Sequence, residues 1–511
     1  FPRNPQRWSA TPRFRFILHK QLNMKLQKIA EEFNSMPSLN FVENDREKAV
    51  LGIIAGGIGY AIARDILQEI GLQKEIPILK IGTPFPFPNE VVEAFIQKCD
   101  HILILEETEP VIELQIRDKS KIYGRLDGMI PNEGEMLPEV ITQVISHLCK
   151  KYSIPVSEVP STAPLEKMVA GLGLPIRRPT LCSGCPHRSS FYALKKTFPN
   201  GIFPSDIGCY TLGMNMDAVD TCHDMGAAIT IASGLYQAYH QDGKEIPIIG
   251  TIGDSTFYHS GAQGLLNAVY NGAKFILVIL DNSITAMTGM QPTPESGATA
   301  DGHPGTSLSI EELVKGCGVK YIRVVNPYDI KGMIREAQKA YKYTRQRDGG
   351  MAVLIARYPC IIYQKEQLKV NPIKVEIRHI PPPEKGLPQV KSGEMDKSLL
   401  PVFQDEACYQ CDTCLIQCPE GAISKTESGY VIDYNKCTGC RVCVQECPTS
   451  AIDMPAVGAC IACGYCLKRF ECPSMIRGED SRVKIDRLTC VDCGLCIQVC
   501  GQEAIVPAGL G

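Results

Sequence analysis

The chain has 511 residues, 44% hydrophobic and 21% charged, with a formal net charge of −3. That length suits about three to five ordinary globular domains, and the charge argues against a nucleic-acid or membrane-surface binder. No apolar run reaches the roughly 18 residues of a membrane span, and no signal peptide is legible. The first residue is Phe1, not Met, which points to a fragment or a processed product. Most of the 24 cysteines fall at C-x2-C spacing. In a long chain without a secretion signal this indicates metal or cluster binding in a reducing compartment, hence a cytoplasmic location.

Residues 1–46 read as a connector. FPRNPQRWSATPRF is Pro- and Arg-rich, and HKQLNMKLQKIAEEF carries helical periodicity. Residues 47–150 read as an α/β domain: AVLGIIAGG is a buried strand, IGYAIARDILQEIGL a helix, and IPILKIG and HILILEE are further strands. The GGIG turn lacks the spaced-glycine nucleotide fingerprint and reads as a tight strand-to-helix turn. The acidic end of HILILEETEP faces either a partner site or solvent. Residues 151–365 form a second α/β domain, and the Pro- and Lys-rich residues 366–403 read as a linker.

Within the second domain, IPIIGTIGD is an apolar strand ending at Asp254, SGAQGLLNAVYNGA is a helix, and KFILVILDN is an apolar strand ending at Asn282. The unit is βαβ, so its strands run parallel and both residues emerge at the carboxyl edge of the sheet, where open α/β sheets bind ligands. A carboxylate and an amide oxygen suit Mg²⁺, which completes its shell with phosphate oxygens. Gly253 lets a diphosphate approach the backbone. A plain βαβ unit with polar strand ends is the alternative.

The tail carries the strongest signal. Cys408, Cys411, Cys414 and Cys418, followed by Pro419, have C-x2-C-x2-C-x3-C-P spacing, and Cys437, Cys440, Cys443 and Cys447, followed by Pro448, repeat it. This is a two-cluster 4Fe-4S ferredoxin module (404–455), in which the fourth cysteine of each run serves the other cluster. The ligand sets are therefore Cys408, Cys411, Cys414, Cys447 and Cys437, Cys440, Cys443, Cys418. A second module (456–511) pairs Cys460, Cys463, Cys466 and Cys472 with Cys490, Cys493, Cys496 and Cys500. It departs twice: five residues separate Cys466 from Cys472, and Gly501 replaces the proline. Zinc is the rival for C-x2-C pairs, but sixteen regularly repeated cysteines favour clusters. From residue 401 onward there are 9 Lys and Arg against 14 Asp and Glu, an acidic balance suited to redox partners.

GDS, 25 residues, then DN resembles the thiamine diphosphate motif GDG…NN, with Ser255 and Asp281 departing from it. By that resemblance Asp254 and Asn282 bind Mg²⁺ through side chains and Ile284 through its carbonyl, with Gly253 and Ser255 beside the cofactor. LCSGCPHRSSFYALKK (181–196), DIGCYTLG (206–213) and DTCHDMGAAITIASG (220–234) resemble the thiamine-binding region of 2-oxoacid:ferredoxin oxidoreductases. The first stretch, with LILEETEPVIELQI (103–116), resembles the large subunit of the indolepyruvate branch. The resemblance implies two parallel-sheet α/β domains, transketolase-C-terminal-like and thiamine diphosphate-binding, followed by the two ferredoxin-like modules. It adds Gly208 and Gly226 to the cofactor residues and offers His187, His223 and His259 as catalytic candidates. Cys182, Cys185, Cys209 and Cys360 match positions that hold a cluster beside thiamine in the pyruvate enzymes. A fifth cluster and four buried thiols both remain open.

The activity implied is oxidative decarboxylation of an arylpyruvate. The acyl group passes to coenzyme A and the electrons pass through four 4Fe-4S clusters to ferredoxin. A small beta subunit in a hetero-oligomer is expected. Family members carry a pyrimidine-binding domain at the N-terminus, and no stretch ahead of residue 47 is a candidate for it. The alternative is an electron-relay subunit whose thiamine fold is only structural.

Overall fold

A computed structural model of the chain describes residues 3–9, 11–156, 163–174, 178–363, 373–379, 400–427 and 429–509. It divides into two compact units, Phe1–Ile176 and Arg177–Gly511. The break lies some 26 residues beyond the expected boundary at 150/151, because the helix Ala163–Gly171 belongs to the first unit.

The first unit is built on a five-stranded sheet: β1 (Asn40–Glu43), β2 (Ala49–Gly56), β3 (Ile78–Ile81), β4 (Cys99–Leu105) and β5 (Ile122–Tyr123), in the order β1-β3-β2-β4-β5. All pairs are parallel except β1 with β3. β2 is apolar throughout and β4 is apolar and buried from Ile102 to Leu105, because both faces of the sheet are covered there. Helices Gly57–Glu69 and Pro138–Lys151 pack on one face through Ala63, Leu67, Ile141 and Leu148, and helix Asn89–Gln97 packs on the other through Val92 and Phe95.

Two expectations are corrected here, the second in part. Residues 1–46 are no mere connector, since they supply the helix Pro12–Asn34 and the edge strand β1. The acidic end of HILILEETEP is split: Glu107 and Glu109 are exposed, as a solvated loop requires, but Glu106 turns inward. Glu106 is buried and accepts the backbone N–H groups of Ile112 (2.6 Å) and Glu113 (2.9 Å), and buried Glu113 accepts that of Arg125 (2.8 Å). These carboxylates satisfy turn and helix-start donors that burial would otherwise leave orphaned.

The second unit holds an all-parallel sheet of six strands: β6 (Pro204–Ser205), β7 (Thr221–Cys222), β8 (Ile249–Gly253), β9 (Ile276–Asp281), β10 (Tyr321–Val325) and β11 (Ala352–Arg357), ordered β10-β11-β9-β8-β6-β7. β8 and β9 are adjacent and in register from Ile249↔Ile276 to Gly253↔Leu280, as the apolar runs flanking one helix require. Their residues are buried throughout. The carboxyl ends of β6, β8, β9 and β11 deliver Asp206, Asp254, Asn282 and Cys360 to one edge.

The cysteine tail belongs to this second unit. The second module shares a core with the sheet domain: Leu181, Phe191 and Leu194 lie in one apolar cluster with Tyr465, Phe470, Leu495 and Val499. The first module has its own small core of Ile423, Tyr430, Ala451 and Ile452. The region expected to be a linker, 366–403, lies mostly outside the described residues. Its described parts are strands: β12 (Val375–Ile377) pairs antiparallel with Ile505–Pro507 of the second module, and β13 (Val402–Phe403) with Ile452–Asp453 of the first.

Candidate active site

The chain leaves β8 at Gly253 and turns at once into the helical run 254–270. This turn puts Asp254, 3% exposed, at the edge of the sheet. Its Oδ1 accepts the Ser255 N–H (2.7 Å), whereas its Oδ2 is buried with no partner. An ionised oxygen left in this way costs several kcal/mol unless something neutralises it. Burial first, and the nearby Asp281 second, push the Asp254 carboxyl up to about 7.

Asp281, the last residue of β9, is fully buried and pairs with Arg357. The same guanidinium makes a bidentate contact with Glu311 (2.7 and 2.9 Å) and lies 3.2 Å from Glu295. One cation thus serves three carboxylates, and Asp254 is a fourth without one. Carboxylate oxygens of Asp254, Asp281 and Glu295 all lie within 4.8 Å of one another, and Glu295 too is pushed up to about 7, by burial and then by Asp281. The excess negative charge and the orphaned Asp254 oxygen fit a divalent cation.

Asn282 is buried, with Nδ2 3.2 Å from His187 Nε2 and Oδ1 accepting the Ile284 N–H (3.2 Å). Ile284 is buried beside it, and Thr285 Oγ1 bonds Ser255 Oγ (2.8 Å), tying the loop after β9 to the turn after β8. His187 is driven down to about 4 by burial. A neutral imidazole can accept the Asn282 amide proton, which turns the amide oxygen the other way. His187 is therefore buried behind Asn282, while His223 and His259 are exposed and are not drawn into this cluster.

The space in front of Gly253 is filled. A Cβ there would stand 2.6 Å from the Tyr210 ring, and one at Gly208 would stand 2.4 Å from it. The two glycines admit Tyr210, a packing requirement of the chain itself at both positions. The Tyr210 hydroxyl donates to Asp206, whose other oxygen accepts the Gly226 N–H (2.9 Å). Gly226 has φ +95°, and a Cβ there would meet Ser260 Oγ at 2.5 Å. Burial pushes Asp206 up to about 6.

The four thiamine-side cysteines converge. Cys209 lies within electrostatic reach of Cys182 and Cys360, and Cys185 of Cys182. The Cys360 N–H donates to the Asn282 carbonyl (3.1 Å), joining these thiols to the end of β9. Burial pushes Cys185 up to about 12. A cation or cluster would reverse that shift by favouring the thiolate.

All 24 cysteines are described and none is in a disulfide. In the tail Cys414 faces Cys408, Cys411 and Cys447, and Cys443 faces Cys437, Cys440 and Cys418. In the second module Cys466 faces Cys460, Cys463 and Cys500, and Cys496 faces Cys472, Cys490 and Cys493. In each pair of runs the fourth cysteine lies with the opposite three. The Cys466–Cys472 interval, two residues longer than in the other runs, begins with a single π turn, Cys466–Phe470.

Sequence reasoning missed Glu295 and treated Asp281 only as a departure from a motif. Glu295 sits in a short 3₁₀ turn (Pro294–Ser296), and no spacing rule marks it. Asp281 could have been suspected, because an acid ending a wholly apolar strand needs a buried counter-ion.

Among the described residues no helix is long and apolar enough to cross a membrane. Residues 206–353 match the thiamine pyrophosphate enzyme C-terminal TPP binding domain, and residues 407–451 match the 4Fe-4S dicluster domain. Indolepyruvate oxidoreductase subunit IorA of Pyrococcus abyssi is 33% identical over 99% of this chain and 67% of its own length. The subunits of the same name from Pyrococcus horikoshii and Thermococcus kodakarensis are 36% and 35% identical, each over 84% of this chain and 68% of their own length. The chain spans about two thirds of the length of these relatives. Thiamine-binding sheet, two-cluster tail and full-chain similarity agree: the chain belongs to the indolepyruvate oxidoreductase subunit IorA family of 2-oxoacid:ferredoxin oxidoreductases.

Proposed function

We propose that the chain carries out the oxidative decarboxylation of an aryl 2-oxo acid to its acyl-CoA and CO₂, within a hetero-oligomer with a small beta subunit. Four 4Fe-4S clusters pass the electrons to ferredoxin. The observation that supports this most is the partnerless, buried Asp254 Oδ2 at a sheet edge that also gathers Cys182, Cys185, Cys209 and Cys360. The aryl preference rests on the relatives' name alone.

When bound, thiamine diphosphate supplies a nucleophilic carbanion and an electron sink for loss of CO₂. In this reading Asp254 and the Asn282 amide oxygen hold the Mg²⁺ that anchors its diphosphate, with the Ile284 carbonyl as a third ligand. His187 would keep the Asn282 oxygen turned to the metal by accepting a hydrogen bond from the Asn282 amide N–H at Nε2. Arg357 holds Asp281, Glu295 and Glu311 so that their charge stays fixed as the cation arrives. Buried Tyr210, locked by Asp206, closes the wall between Gly208 and Gly253 against water.

The test is anaerobic reduction of a dye or ferredoxin by the assembled enzyme. Indolepyruvate, phenylpyruvate, pyruvate and 2-oxoglutarate are compared with and without coenzyme A. CoA-dependent reduction with the aryl acids preferred is expected. Preference for pyruvate or 2-oxoglutarate would overturn the substrate assignment, and failure to bind thiamine diphosphate would leave the electron-relay alternative.

A further inference from the structure

The two ferredoxin modules do not stand equivalently to the thiamine-side cysteines, and three observations order them. First, the second module shares its apolar core with the sheet domain, whereas the first has a core of its own.

Second, the Cys182–Cys185 loop lies directly on the second module. Ser183 Oγ is 2.7 Å from Ser474 Oγ. Fully buried Arg188 donates to the carbonyls of Leu181, Phe470 (2.8 Å) and Glu471, the last two within the interval that lengthens the Cys466–Cys472 run. Gly184 has φ +71°, and a Cβ there would stand 2.6 Å from Val491 Cγ2 and 3.6 Å from Cys493 Sγ. Glycine therefore serves two ends at this position, the left-handed turn and the close approach. Tyr328 fills the remaining space. Its hydroxyl donates to the Gly184 carbonyl, its ring stacks on Tyr358, and it lies within electrostatic reach of Cys493, Cys185 and Cys360.

Third, the helix Pro186–Thr197 acts as a ruler. His187 at its start touches Asn282, while Asn200, just past its end, donates to the Cys411 carbonyl (2.9 Å). Twelve helical residues span about 18 Å. The Cys408, Cys411, Cys414, Cys447 group thus sits at the end of this helix away from Asn282. Between the extremes, Cys440 lies within electrostatic reach of Cys463, and Gln502 Nε2 donates to the Cys440 carbonyl (3.2 Å), joining the two modules.

We propose that electrons enter the tail at its C-terminal cluster, held by Cys472, Cys490, Cys493 and Cys496, and run against chain order to leave from the Cys408, Cys411, Cys414, Cys447 cluster. The intermediate stations are the Cys460, Cys463, Cys466, Cys500 cluster and then the Cys437, Cys440, Cys443, Cys418 cluster. This rests on the functional reading above. One 2-oxo acid anion and one coenzyme A thiol yield acyl-CoA, CO₂, one proton and two electrons. The electrons leave singly, each reducing a cluster from the 2+ to the 1+ state, and a ferredoxin-type one-electron acceptor reoxidises the last cluster. The order holds whether or not Cys182, Cys185, Cys209 and Cys360 carry a cluster of their own, since either way the neighbour in the tail is Cys493.

The test uses the assembled enzyme, anaerobically, with electron paramagnetic resonance of the reduced clusters after addition of indolepyruvate and coenzyme A or of dithionite. In Cys493→Ala, substrate-driven reduction of the remaining tail clusters should be lost while dithionite still reduces them. In Cys411→Ala, substrate should still reduce the remaining clusters, and electron delivery to ferredoxin should be lost. Gly184→Ala, which leaves every ligand in place but wedges a methyl against Val491 and Cys493, should lose the fast phase of substrate-driven reduction alone. Substrate-driven reduction at the wild-type rate in both Cys493→Ala and Gly184→Ala, or its loss in Cys411→Ala, would overturn the proposed order. A wild-type enzyme reduced by dithionite but not by any 2-oxo acid would instead refute the functional reading on which the order rests.

Discussion

His187 Nε2 lies 3.2 Å from Asn282 Nδ2, a contact between residues 95 positions apart in the chain. It links the helix that begins in the Cys182–Cys185 loop to the strand end read as a metal ligand. A histidine so buried, and held neutral by that burial, is a positioning group. His187→Ala should weaken Mg²⁺-dependent thiamine diphosphate binding by about 10- to 100-fold, the range for loss of an outer-sphere partner. His187→Gln, whose amide oxygen can accept the same proton, should recover part of it. Calorimetric titration of the cofactor distinguishes the two, and equal affinities in both variants would remove His187 from this role.

Metal affinity should depend on pH in a defined sense. A carboxyl pushed up to about 7 is protonated below that pH in the metal-free protein, and the cation must displace the proton. Apparent affinity for Mn²⁺ should therefore fall by up to about tenfold per pH unit below 7 and level off above it. A flat profile between pH 6 and 8 would show that the Asp254 carboxyl is ionised throughout.

Among the described residues, Arg357 is the cation that pairs with buried Asp281, and it also holds Glu295 and Glu311. Arg357→Gln leaves that carboxylate, together with Glu295 and Glu311, without a counter-ion. The expected loss is about 3–5 kcal/mol of stability. Arg357→Lys should recover little, because a point charge cannot reproduce the bidentate grip on Glu311. Denaturant unfolding of the three proteins is the check.

Gly253→Ala and Gly208→Ala should each cost about 1–3 kcal/mol through overpacking against Tyr210. If the packing explanation is right, shrinking the wall with Tyr210→Ala should make Gly253→Ala nearly silent, a coupling that a double-mutant cycle measures.

Much of this was legible in the sequence, and the reasons are physical. β8 and β9 announce themselves because a strand buried on both faces must be apolar throughout, so the polar residue that ends each one stands out. The tail cysteines were readable because cluster ligation depends on local spacing. What escaped depends on contacts between distant segments. Glu295 enters from a loop, Tyr210 explains Gly253 only once the sheet edge is built, and Glu106 looks solvent-facing until its bonds to the next helix are seen. β12 and β13 are too short to show periodicity, yet each completes a two-stranded ladder on a different module.

The central claim is that the Asp254 site and the cysteine tail form one electron-transfer system. The most direct measurement is cluster reduction in the assembled enzyme with thiamine diphosphate and Mg²⁺, comparing wild type with Asp254→Ala after anaerobic addition of indolepyruvate and coenzyme A. The account predicts a reduced 4Fe-4S signal from substrate in the wild type and none in Asp254→Ala, with equal signals from dithionite in both. Equal substrate-driven signals in the two proteins would contradict it.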